Sequence, residues 1–119
     1  MKSTFFLIAV LIVAIATYLV FLQTPNTAGP SLVIEMKDML YEPSNVTISR
    51  GTSIVFKNVG TRDRWPASDI HPTHGIYPEF DPRRPLPPGD SWTFRFDKTG
   101  IWRWHDHLEP SLVGTITVE

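Results

Sequence analysis

The chain has 119 residues, enough for one domain, and carries a formal net charge of −1. That balance gives no argument for nucleic acid as a partner, and no basic patch with interleaved aromatics supports one. Cysteine is absent, so no disulfide staples the fold and no thiolate is available to a metal.

The first element is an apolar run from Phe5 to Leu22, without charge, Gly or Pro. At 1.5 Å rise per residue its roughly 18 residues span about 27 Å, close to the hydrocarbon core of a bilayer. It is apolar on every face, unlike an amphipathic core helix. Met1-Lys2 puts a positive charge on its inner flank, which orients the rest of the chain out of the cytoplasm. No small-x-small cleavage pattern follows Leu22, so residues 1–23 are expected to be an uncleaved signal-anchor helix. The localisation this implies is a single-pass cell-membrane protein with its C-terminal domain outside. Residues 24–30 are polar with two prolines and read as a linker. Residues 31–119 are then the folded domain.

Within that domain short apolar runs alternate with turn signals. Strands are expected at Ser31–Lys37, Asn45–Ser49, Ser53–Lys57, Ser91–Phe96, Ile101–His107 and Gly114–Glu119. The Ser91 run puts Trp92, Phe94 and Phe96 on one face. Two longer stretches interrupt the pattern. Thr61 to Phe80 holds Trp65, Tyr77 and Phe80, apolar anchors that predict an ordered, functional loop. Asp81 to Asp90 holds four prolines, which rules out a central strand. The expected architecture is an all-β antiparallel sandwich behind one transmembrane helix.

All four histidines fall in two clusters, His71-Pro-Thr-His74 and His105-Asp106-His107. Histidine is the commonest metal ligand, and scattered histidines would rarely group in this way. On a strand, His105 and His107 share a face, with Cα atoms about 7 Å apart, and can converge on one ion. Asp106 points the other way, with Trp102 and Trp104, onto the inward face. A carboxylate there needs a partner or a ligand. H-x-x-H does not place both rings on one strand face; it suits a loop in which His71 and His74 serve different sites.

Gly100-Ile-Trp-Arg-Trp-His-Asp-His-Leu-Glu-Pro-Ser-Leu-Val-Gly-Thr-Ile-Thr-Val-Glu119 resembles the C-terminal segment of the cupredoxins, the plastocyanin/amicyanin-like blue copper domain. Tyr41-Glu-Pro43, the stretch from Val46 to Asn58, and Pro-Pro-Gly89 before Trp92-Thr-Phe94 are similar to other segments of that family. The resemblance implies a cupredoxin-like Greek-key β-sandwich with His71 at the family's loop-ligand position. It also implies that Asp106 stands where the thiolate belongs, Glu109 where the second histidine belongs, and Leu112 where the axial methionine belongs. A blue centre needs a His₂Cys set, so none is expected. A His71, Asp106 and Glu109 pocket would be rich in oxygen and suit copper, zinc or manganese. His71-Pro-Thr-His74 and His105-Asp-His107 are also similar to the H-P-x-H-x-H and H-C-H motifs of multicopper oxidases, with Ile76 and Asp106 as the departures. That likeness implies a second, outward group of His74, His105 and His107, open or completed by another protomer in a homo-oligomer.

The resulting expectation is a membrane-anchored, extracytoplasmic metal-binding protein, with copper first among the metals. It would serve copper handling or electron transfer, with a redox or copper-donor protein as partner. Two alternatives stand beside it. One is a degenerate cupredoxin retained as a non-metal interaction module. The other is a three-histidine enzyme in which the metal activates water.

Overall fold

The computed structural model describes residues 1–22 and 29–119. The expected linker, 24–30, falls outside the described residues except for Gly29 and Pro30. Helix α1 covers Lys2–Leu22 and matches the apolar run. Among the described residues no helix is long and apolar enough to cross a membrane.

The domain is a two-sheet sandwich of eight strands. They are β1 (Ser31–Met36), β2 (Tyr41–Glu42), β3 (Asn45–Ile48), β4 (Ser53–Asn58), β5 (Pro66–Ser68), β6 (Ser91–Arg95), β7 (Gly100–Asp106) and β8 (Val113–Val118). One sheet has the order β2-β1-β4-β6 and the other β3-β8-β7-β5. The expectation of a purely antiparallel sandwich needs correction, because β1 pairs with β4 and β3 with β8 in parallel. The cause is connectivity. After β1 the chain makes β2 in the same sheet, crosses to β3 in the other, and returns to β4 beside β1, and such a crossover is what parallel neighbours require.

Period-two alternation builds the core. Ile34 and Met36 of β1, Ile54 and Phe56 of β4, and Ile116 and Val118 of β8 are all buried. Trp92 and Phe94 pack against this core from β6, and Phe96 lies within it. Trp104 of β7 is fully buried, with its ring centroid 4.8 Å from that of Tyr41. Gly114 lets β8 pass beneath that indole: a Cβ there would lie 2.0 Å from the Ser44 carbonyl oxygen and 2.4 Å from the Trp104 ring.

β5 was not expected. It lies inside the Thr61–Phe80 stretch and pairs antiparallel with the end of β7, Ala67 opposite His105 and Pro66 opposite Asp106. It carries the following loop over the outer face of β7. His105, which alternation turns outward, is thereby buried as well.

Candidate metal centre

Two segments bring the histidines together. His105 lies in β7 and His107 one residue past its end, and their i, i+2 spacing puts both on the outer side. His71 and His74 sit in a turn closed by the His74 N–H donating to the Ile70 carbonyl at 2.7 Å. The turn ends with His74 in the left-handed region, at φ 55°. It curls the H-x-x-H pair so that both rings face β7.

The expected split into two groups therefore differs from the structure. Donor nitrogens of His71, His74, His105 and His107 all lie within 4.8 Å of one another. His71 Nδ1 is 3.3 Å from His105 Nε2. His74 Nε2 is 3.0 Å from His107 Nδ1. The sequence reading assigned His71 and His74 to different sites because it considered strand faces and not the turn. The group is also assembled within one chain by His71, whereas the sequence reading left the outward group open or completed by a second protomer.

Two carboxylates outside the group hold its rings. Asp69 Oδ1 lies 2.8 Å from His105 Nδ1. Asp81 Oδ2 lies 2.7 Å from His74 Nδ1. An ionised carboxylate only accepts, so each Nδ1 carries the proton and each Nε2 turns a lone pair to the centre. Asp81 Oδ1 also accepts from Trp65 Nε1 at 2.7 Å and from the Arg83 backbone N–H at 2.7 Å. Burial works against the charge on Asp81, but the hydrogen bonds from His74, Trp65 and Arg83 outweigh it and hold the carboxyl below its ordinary value. Burial, and then the charge His74, His71 and His105 can carry, holds His107 below the usual imidazole value, which favours the neutral, ligating ring. Sequence reasoning missed Asp69 and Asp81. Their only signal is an acid two residues before His71 and another seven after His74, too common a pattern to single out.

Asp106 and Glu109 stand apart from the group. Asp106 is fully buried on the inner face, as its parity with Trp104 foretold. Its Oδ2 accepts from the Tyr41 hydroxyl at 2.5 Å and from the Trp65 N–H at 3.3 Å. Its Oδ1 accepts from the N–H groups of Leu108 at 2.8 Å and Glu109 at 3.1 Å. Arg64, itself buried, places Nη1 3.9 Å from Oδ2. These donors satisfy the carboxylate where it lies. Burial and the neighbouring Asp106 charge push the Tyr41 hydroxyl well above its ordinary value, so Tyr41 remains a donor. Glu109 faces solvent and accepts from the Ser111 hydroxyl at 2.8 Å.

The four-nitrogen set fits a metal ion. Bonds of 2.0–2.1 Å in a tetrahedral shell separate neighbouring nitrogens by about 3.3 Å. Two of the separations are already 3.0 and 3.3 Å, and the others, none above 4.8 Å, would close further on an ion. The set does not fit a blue copper centre, which requires a thiolate this chain lacks.

The fold and site together define a two-sheet β sandwich whose four clustered histidines could hold a metal ion. The sequence profile of the Cupredoxin-like domain matches residues 7–118, and the chain belongs to that family. Among solved structures it is similar to a purple cupredoxin from Nitrosopumilus maritimus, at 23% identity and TM-score 0.62, covering 76% of this chain and 100% of that one. A reduced amicyanin mutant matches at 17% identity and TM-score 0.66, covering 79% of this chain and 87% of that one. A fern plastocyanin mutant matches at 20% identity and TM-score 0.60, covering 74% of this chain and 100% of that one. At these identities the likeness concerns the fold. No curated protein sequence matches the chain.

Proposed function

We propose that the chain is a membrane-anchored, extracytoplasmic copper-binding cupredoxin-like protein that holds its ion on His71, His74, His105 and His107. The observation that carries this reading is the convergence of four ring nitrogens within 4.8 Å, two of the rings held by Asp69 and Asp81. Imidazole ligands suit copper and zinc, and divalent copper binds nitrogen sites more tightly than zinc does. Manganese, which an oxygen-rich pocket would favour, is disfavoured by a set made of nitrogens alone. When bound, copper would supply a one-electron couple. The protein's part is to hold four neutral rings in place.

Copper handling at the outer surface is the role we take first, because without a thiolate the strong electronic coupling of blue sites is lost. A redox role has one observation in its favour. The half-buried Trp65 ring lies 4.6 Å from the His107 ring, centroid to centroid, linking the site to the surface. The anchor is proposed from the sequence alone, on the charge-free run from Phe5 to Leu22 behind Lys2.

Competitive titration of the full-length chain in neutral detergent tests the metal. One Cu(II) per chain should bind and quench Trp65 emission, and it should resist displacement by equimolar Zn(II). Stoichiometry unchanged in the His71→Ala/His107→Ala variant would refute the assignment.

A further inference from the structure

A wide-open depression of about 470 Å³ lies beside the histidine group, with His74 and His107 in its lining. That volume lies in the range of small-molecule sites. Trp65, Pro72 and Pro78 give it apolar walls, and Arg83 stands at its edge.

This cavity is built around one carboxylate. Asp81 holds His74 through Oδ2, and through Oδ1 it holds the Trp65 indole and the Arg83 backbone N–H. A ring of the metal group, a wall of the cavity and the base of its cation thus share one anchor. Arg83 adopts φ 56°, a left-handed conformation uncommon for a residue with a side chain. The Asp81 hydrogen bond to its own backbone N–H supports that conformation.

Charge narrows the occupant. Among the described residues Asp81 is the only acid in the wall, and both its oxygens are engaged. The Arg83 guanidinium is exposed and makes no ion pair among the described residues, although neighbouring Arg84 pairs with Asp90. A divalent ion on the histidines would add to the same positive field. The opposed charge of Asp81 is turned to His74, Trp65 and the Arg83 backbone N–H, so the exposed guanidinium is the charge left to meet an anion. A planar carboxylate is the group an arginine fork meets with two parallel hydrogen bonds.

We propose that this cavity binds a small monocarboxylate with an apolar body, its carboxylate on Arg83 and its body against Trp65, next to the ion held by the histidines. The adjacent ion rests on the proposed copper reading; the contact with Arg83 does not.

Calorimetric titration of benzoate into the full-length chain in neutral detergent, with and without Cu(II), tests this. Saturable binding is expected in both forms, tighter with copper. Arg83→Gln should weaken it by about tenfold or more, the scale of one charge-assisted hydrogen bond. Arg83→Lys, which keeps the charge but loses the fork, should weaken it as well, by less than Arg83→Gln does. Benzamide, of the same shape without the charge, should give no saturable heat. Equal binding of benzoate by Arg83→Gln, equal binding of benzamide, or no saturable benzoate binding in either form would overturn the proposal. Copper stoichiometry in the same samples separates the two readings. Copper bound without an Arg83 effect removes the anion cavity alone. Benzoate binding that depends on Arg83, with no copper bound, removes the histidine reading alone.

Discussion

Asp81 and Asp69 do at the residue scale what a ligand list omits: they choose which nitrogen of His74 and His105 faces the centre. Asp81→Asn and Asp69→Asn keep the shape but remove the obligate acceptor. Each is expected to lower copper affinity by about 10–100-fold while leaving the fold intact, read by competition with a chelator of known affinity. Asp106 belongs to the structure of the domain. Asp106→Ala would orphan the buried Tyr41 hydroxyl and leave Arg64 without its nearest buried acid. A loss of about 3–5 kcal/mol is expected in denaturant unfolding. The inward direction of Asp106 was legible from its parity with Trp104, since alternation is a local rule. Its donors were not legible, because Tyr41 is 65 residues away and only tertiary pairing brings it there.

Strands announce themselves by alternation, and the elements show where that signal ends. The six expected strands are present, with boundaries shifted by no more than one residue. β2 and β5 were missed for a physical reason. Tyr41–Glu42 is too short to alternate, and Pro66–Ser68 is buried at every position, so it has no polar face to read. The proline opens β5 at the edge of its sheet, where a missing N–H is tolerated. The His71–His74 turn was the costlier omission. Its sequence states the spacing of the rings but not the 2.7 Å closure onto Ile70 that turns both one way. β8 offers the sharpest test of the packing. Gly114→Ala would drive a methyl into the Ser44 carbonyl and the Trp104 ring. A loss of about 3 kcal/mol or more is expected, seen as a lowered denaturant midpoint. A near-neutral result would mean that β8 does not run this close to Trp104.

In the whole molecule, the sandwich turns one face of β7 into core and the other into a histidine centre. Asp106 and His105 are neighbours in sequence and opposite in role because a strand separates them by direction. The family's fold is retained, and the inward position that resembles the thiolate site is filled by a carboxylate tied to Tyr41, Trp65 and the backbone after β7. The fold was legible because the stretch from Val46 to Asn58 and the β7–β8 segment keep the family's pattern. The unity of the site was not, because it depends on how a loop folds over a strand. Pulsed EPR of the Cu(II)-loaded full-length chain addresses that unity most directly, since the remote ring nitrogens of bound imidazoles modulate the signal and can be counted. Four imidazoles are predicted, falling to three in His71→Ala and unchanged in Asp106→Asn. A signal with two imidazoles or fewer, or one indifferent to His71→Ala, would contradict the single four-histidine centre.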